Sequence, residues 1–184
     1  AGTWIRPMSD RLTYRRNFAR HVERVALIDE ILTAAGVRFG LEYVGPKTFW
    51  STEPYPFVHT LAELLELIAE VGGDNVGVVL DTFHWYTAGE TVDDLLALSA
   101  DRIVAVDVND APSGRDRDAQ IDQERMLPGA TGVIDASAFV GALRTVGYAG
   151  PVKVEPFNAD LRALPPRDAV AATARSLAGL FPRA

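Results

Sequence analysis

The run Val76-Gly77-Val78-Val79-Leu80-Asp81-Thr82-Phe83-His84 decides how this chain is read. A short apolar stretch ends abruptly at an acid, as a buried strand does where its C-terminal end leaves a parallel sheet. The same figure recurs three times. Glu42 follows Phe39-Gly40-Leu41, Asp107 follows Val104-Ala105-Val106, and Glu155 follows Val152-Lys153-Val154.

Between these runs the hydrophobic period switches from two to about 3.6, the signature of consecutive βα units on a parallel sheet. Five units are expected. The first strand covers Thr3 to Arg6 before Pro7, and its helix places Phe18, Val22, Val25, Ile28 and Leu32 on one face, with a stop at Gly36. The second strand is Val37 to Val44. Thr60 and Glu63 have capping-box spacing and open a helix through Leu61, Leu64, Leu65 and Ile68, which Gly72-Gly73 ends. After the third strand, Val76 to Thr82, Thr91 and Asp94 open a helix through Leu95, Leu96 and Leu98. Ile103 to Val108 is the fourth strand, and Asp135 caps a helix carrying Phe139, Leu143 and Val146. Pro151 to Pro156 is the fifth strand, followed by a helix with Val170, Ala174, Leu177 and Phe181 on its apolar face. A loop from Asn109 to about Gly132, rich in Asp, Arg, Gly and Pro, is long enough to be functional or mobile.

Composition narrows the chemistry. The 184 residues carry 18 Lys plus Arg and 25 Asp plus Glu, a formal charge of −7, and no cysteine. Thiolate zinc sites, disulfide frameworks and cysteine nucleophiles are therefore out, and any metal is held by oxygen or imidazole. Without a basic run, neither a nucleic acid nor an anionic membrane is the expected partner. Arg11, Arg15, Arg16, Arg20 and Arg24 read as a solvated helix face. No stretch reaches the ~18 apolar residues of a membrane span and no signal pattern opens the chain, so the expectation is a cytoplasmic protein.

In a parallel α/β sheet the C-terminal strand ends share one rim, where such folds bind ligands. Glu42, Asp81, Asp107 and Glu155 would meet there. One strand-end acid alone is commonly a helix cap, but four in succession repel one another unless protonated or neutralised, and a divalent cation is the simplest remedy. An oxygen-rich set suits Mg²⁺ or Mn²⁺, with Zn²⁺ or Co²⁺ if a nitrogen joins. His84, three residues beyond Asp81, leaves its strand toward this rim, whereas His21 and His59 read as surface or capping residues. Trp50, Trp85 and Tyr86 suit either a pocket wall or the core. Arg125, in Arg125-Met126-Leu127-Pro128-Gly129, suits either a clamp on a carboxylate or polyol, or a loop salt bridge.

Several segments together resemble the xylose isomerase-like TIM-barrel superfamily, the sugar isomerase and epimerase group that also includes inosose dehydratases, hydroxypyruvate isomerases and endonuclease IV. They are Gly40 to Pro46, Leu80 to His84, Val108-Asn109-Asp110-Ala111-Pro112, Arg125 to Gly129, and Gly147 to Pro151 leading into Val154-Glu155-Pro156-Phe157. The resemblance implies a (β/α)₈ barrel holding one divalent metal through Glu42, Asp81 and Glu155, with His84 binding substrate. Asp107 stands where the sugar epimerases usually carry a histidine ligand, which shifts the expected metal toward Mn²⁺ or Mg²⁺. The implied chemistry is isomerisation or epimerisation of a sugar or related polyhydroxy carbonyl compound through a metal-stabilised enediolate, with Glu42 and Glu155 as paired acid and base. An inosose dehydratase-like lyase would use the same groups, and a non-catalytic metal- or polyol-binding barrel is the alternative of another class. Endonuclease IV-like DNA cleavage would need more histidines and a basic surface.

A complete barrel of this type takes ~250 residues. With Glu42 on the fifth strand of the family pattern, the five units correspond to strands 4 to 8. The expectation is one domain over residues 1–184 that forms the C-terminal part of a longer barrel, or closes its open strand edges against another chain, as in a homo-oligomer.

Overall fold

The computed structural model describes residues 1–181. In chain order the elements are β1 (Gly2–Trp4), β2 (Met8–Ser9), α1 (Tyr14–Ala34), β3 (Phe39–Glu42), α2 (Lys47–Trp50), β4 (Tyr55–Pro56), α3 (Leu61–Val71), β5 (Val76–Asp81), α4 (Thr82–Ala88), α5 (Val92–Leu96), β6 (Ile103–Asp107), α6 (Ala136–Thr145), β7 (Val152–Lys153), α7 (Ala159–Ala163) and α8 (Pro166–Leu180). Strands β1, β3, β5, β6 and β7 form one sheet in that order, with every neighbouring pair parallel. This is the five-unit βα succession expected from the hydrophobic pattern. Strands β2 and β4 make a separate antiparallel pair.

The central strand β5 is buried at all six positions, which is why it reads as a continuous aliphatic run. Leu41 from β3, Val78 and Leu80 from β5, Val106 from β6, Leu64 and Leu67 from α3, and Phe139 from α6 are all fully buried in one cluster. Each such side chain contributes roughly 1.5–3 kcal/mol relative to exposure. The helices start where their caps are. Thr60 and Glu63 form a reciprocal capping box on α3, Thr91 and Asp94 another on α5, and the Asp135 carboxylate accepts the Ala138 N–H at the start of α6.

The departures from expectation lie mainly at the margins of the sheet. Ile28 and Val170, expected on buried faces, are exposed, because α1 and α8 flank the edge strands β1 and β7, where the sheet supplies a neighbour on one side only. The last strand shrinks to Val152–Lys153 for the same reason. Leu96, expected to face the core, is exposed too, since α5 is a short helix with Leu95 as its single buried residue. Helices α2, α4 and α7 follow strand ends and are too short to show a period.

The loop over residues 109–132 is irregular apart from one 3₁₀ turn, yet it is pinned. Asp110 pairs with Met126 through the backbone, and its carboxylate accepts N–H groups from Ala111, Thr131, Gly132 and Ile134. Burial alone would raise the Asp110 pKa; these four donors hold it below the usual carboxylate value. Among the described residues no helix is long and apolar enough to cross a membrane.

Glycine tests the packing between β5 and β6. A Cβ on Gly77 would fall on the carbonyl oxygen of Arg102, whereas one on Gly141, inside α6, meets nothing within 4 Å. Gly77→Ala is expected to destabilise by about 2–3 kcal/mol through overpacking, and Gly141→Ala to stabilise by about 0.5–1 kcal/mol through helix propensity. Urea unfolding of the two variants checks this, and equal effects would contradict the packing described.

Candidate active site

Parallel register brings the strand-end acids together. Asp81 on β5 is the register partner of Asp107 on β6, and Glu42 on β3 that of Trp4 on β1. Glu155 lies two residues beyond β7. Asp81 serves two purposes at once. Its Oδ1 caps α4 by accepting the Phe83 N–H at 2.6 Å, and its Oδ2 faces the rim, where it accepts from Asn109 Nδ2 at 2.9 Å. The first turn of α4 then carries His84 back over the same place.

The rim already contains two cations from the protein itself. Arg125, delivered by the long loop, is 1% exposed. Its Nη1 donates to Asp81 Oδ2 at 2.9 Å and Glu155 Oε2 at 3.1 Å, and its Nη2 to Asp122 Oδ1 at 2.7 Å. The guanidinium is sandwiched between Phe83 and Phe157, 5.0 and 4.7 Å from their ring centres. The backbone fixes it further, since the Arg125 N–H donates to Phe157 O and Asn158 Nδ2 donates to Arg125 O. Of its two expected roles, the structure shows the salt bridge, made to three of the protein's own carboxylates. Lys153 is the second cation, with Nζ 2.9 Å from Asp107 Oδ2.

Among the described residues two buried carboxylate oxygens are left without a hydrogen-bond partner, Glu42 Oε1 and Asp107 Oδ1. Burial, reinforced by the charges of Asp81, Glu155 and Asp107, pushes the Glu42 pKa up to about 9. Burial likewise raises Asp107 to about 6, opposed by Lys153. Glu155 is raised by burial and held back by Arg125. His84 is pushed down to about 4 by burial, so its ring is neutral at pH 7. Both neighbours of that ring are donors, Gly45 N–H toward Nδ1 at 3.4 Å and Arg125 Nη2 toward Nε2 at 3.3 Å. A neutral imidazole accepts at one nitrogen only, so at most one of these two contacts is a hydrogen bond.

Glu42, Asp81 and His84 each offer a ligand atom, and the three atoms lie within 4.8 Å of one another. Two carboxylates and one neutral imidazole, with an orphaned oxygen on Glu42, fit a divalent cation. Of the four acids expected to hold it, Asp107 and Glu155 stand outside this trio, engaged by Lys153 and Arg125, and His84 stands inside it.

A cavity of about 200 Å³ opens on the trio, lined by Glu42, His84, Arg125 and Glu155 together with Trp4, Val44, Phe49, Asp122, Gln123 and Phe157. Trp50 and Trp85 are not among its walls. Trp50 stacks on His59, and Trp85 packs edge-on to Phe139 with its N–H donated to Thr91 O, on the core side of the sheet. Tyr86 packs against the core as well. The aromatic wall comes instead from Trp4 and Phe49, whose rings are 6.3 Å apart. Asp122 was invisible as a site residue; its spacing of three from Arg125 was the available signal.

Comparison with known proteins agrees with this architecture. Residues 3–180 match the family described as xylose isomerase-like TIM barrel. The chain is 31% identical over 146 residues to an inosose isomerase of Halalkalibacterium halodurans, covering 78% of this chain and 48% of that protein. It is 30% identical over 147 residues to an L-ribulose 3-epimerase of Mesorhizobium japonicum, covering 80% and 43%. It superposes on a xylose isomerase domain protein from Alicyclobacillus acidocaldarius with a TM-score of 0.84 and 33% identity, over 97% of this chain and 62% of that one. The chain thus spans about half the length of the curated relatives it matches.

The state of Glu42 sets a pH dependence. The folded protein holds a proton on Glu42 up to about pH 9, while an unfolded carboxyl with a pKa of 4.5 releases it. Between those values the folded state binds more protons, so stability falls as pH rises. In chelator-treated protein, melting temperature is expected to decline from pH 5 to 9, and Glu42→Gln to flatten that decline. Identical slopes for both proteins would contradict the raised pKa.

Proposed function

The chain belongs to the xylose isomerase-like TIM barrel family, and from that premise and the geometry of its rim we propose that it shifts a proton beside the carbonyl of a small sugar or related polyhydroxy compound, as an isomerase or epimerase. The observation that carries this reading is the pair Glu42 and Glu155. Both line one small cavity; burial raises both, and of the two only Glu155 forms an ion pair with Arg125. Glu155 pairs with the Arg125 guanidinium, which favours its charged form as a proton acceptor and opposes the upward push of its burial. Without a cation Glu42, buried among other acids, is held in its protonated form; with a cation on it that proton would be released, leaving Glu42 and Glu155 as the two carboxyls able to exchange a proton with substrate.

The remaining groups position the substrate. His84, neutral and fixed on α4, presents Nε2 toward the cavity, and Arg125 keeps Asp81 and Glu155 in place while Asp122 holds the far side of the guanidinium. Trp4 and Phe49 offer an apolar wall to the C–H faces of a polyol. Glu42, Asp81 and His84 would hold the divalent cation, and when bound it supplies carbonyl polarisation and a counter-charge for negative charge developing on oxygen. With a nitrogen in the set, Zn²⁺ and Co²⁺ stand beside Mn²⁺ and Mg²⁺ as fitting ions. Relatives that act on inosose and L-ribulose support a polyhydroxy carbonyl substrate.

The test is exchange of substrate C–H protons with D₂O across a panel of aldoses, ketoses and cyclitol ketones in the presence of Mn²⁺. Exchange is expected with at least one member, and Glu155→Gln is expected to abolish it with the circular dichroism unchanged. A Glu155→Gln variant that retains most of its activity would contradict the assigned role. Cation binding with no exchange anywhere would favour a binding barrel, and loss of a hydroxyl from the substrate would make the enzyme a lyase.

A further inference from the structure

The arginines of α1 have no part in the chemistry above. This helix opens with Arg15 and Arg16 and no acid in its first turn, and Thr13 before it makes no side-chain cap bond, so the positive end of its dipole is not answered from within the chain. Beside its first two turns lies a cavity of about 210 Å³, lined by Arg6 and Asp10 on either side of β2, Ser9 of β2, and Asn17, Arg20 and His21 of α1. None of these residues lines the cavity at Glu42 and Glu155.

Asn17 is the informative wall. It is 4% exposed, yet among the described residues its side-chain amide makes no hydrogen bond, a state that buried amides avoid unless a bound group serves them. Only its backbone is engaged, with the N–H donated to Thr13 O and the carbonyl 2.8 Å from His21 Nδ1. A carbonyl can only accept, so Nδ1 carries the ring hydrogen of His21. Ser9 Oγ accepts the N–H groups of Arg11 and Leu12 at 3.2 and 3.0 Å, which leaves its hydroxyl hydrogen to donate. The acids nearby are already engaged, Asp10 by Arg11 at 3.1 Å and Glu53 by Arg6 at 3.5 Å. Arg20 makes no ion pair among the described residues and is exposed at the cavity.

We propose that this cavity is a binding site for a phosphate group, held by the guanidiniums of Arg6 and Arg20, the Asn17 amide and the Ser9 hydroxyl. Two charged forks and two neutral donors, brought to one cavity by three pieces of chain, suit a compact tetrahedral oxyanion with several acceptor oxygens. Its charge would also answer the uncapped, arginine-rich start of α1. The proposal is independent of the reading given to Glu42, Asp81, His84 and Glu155.

Calorimetric titration of chelator-treated protein with inorganic phosphate, and separately with glycerol 3-phosphate, tests this on the wild-type chain, Asn17→Leu, Arg20→Gln and Arg15→Gln, with melting curves confirming that each folds. Saturable binding is expected with at least one of the two anions. Binding of inorganic phosphate alone would identify the free anion as the ligand, and tighter binding of glycerol 3-phosphate a phosphate ester. Asn17→Leu and Arg20→Gln are each expected to weaken it about tenfold or more, and Arg15→Gln, which removes an arginine of the same helix outside the cavity, to leave it within about twofold. Equal losses in Arg15→Gln and Arg20→Gln would reduce the effect to diffuse attraction by the arginine row and overturn the proposal. Affinity unchanged in Arg20→Gln, or no saturable binding of either anion, would overturn it too. Should Asn17→Leu not fold, the contrast between Arg20→Gln and Arg15→Gln decides alone.

Discussion

Mutual repulsion among carboxylates is the constraint around which this molecule is arranged. A parallel sheet sends the C-terminal ends of its strands to one side, and here Glu42, Asp81, Asp107 and Glu155 arrive together. Unscreened negative charges that close would each oppose folding by several kcal/mol. The fold answers in three ways. Arg125 spans Asp81 and Glu155, Lys153 pairs with Asp107, and Glu42 keeps a proton. What is left without a partner is one buried oxygen of Glu42, which lies beside Asp81 and the neutral His84.

The pinned loop is what makes this solution hold. Arg125 is useful as a counter-ion only if the guanidinium cannot swing into solvent, and its burial between two phenylalanine rings and its backbone bonds to residues 157 and 158 ensure that. Asp110, with its four N–H donors, ties the far end of the same loop to the start of the segment before α6. A stretch whose composition suggests mobility is thus a rigid arm carrying one charge to a defined place. Asp122 completes it, closing the guanidinium from the opposite side.

The strands, their order and the position of the acids were legible because each depends on local pattern: an apolar run, a cap, a glycine stop. The capping boxes at Thr60 and Thr91 and the Asp135 cap appear as their spacing indicates. What the sequence concealed was pairing across distance. Arg125 meets Asp81 from 44 positions away, and Lys153 meets Asp107 through strand register that no local pattern encodes. A divalent cation is the simplest remedy that the spacing of the acids suggests, whereas the chain itself supplies part of the compensation through Arg125 and Lys153. Between pocket wall and core, local pattern does not decide for Trp85 and Tyr86, and the structure places both against the core. Trp85 lies on the first turn of α4 past the strand end, and that turn rotates it to the core side while returning His84 to the rim. Ile28 and Val170 fit a helical period but sit beside edge strands, where period alone does not ensure burial.

The central claim is that the chain's own cations engage three of the rim acids, Asp81, Asp107 and Glu155, and leave Glu42 as the one whose charge an external cation would compensate. Anomalous X-ray scattering at the manganese edge from crystals soaked in Mn²⁺ tests it most directly. One peak is expected, within ligand distance of Glu42. A peak away from Glu42, or none at saturating Mn²⁺, would contradict the account.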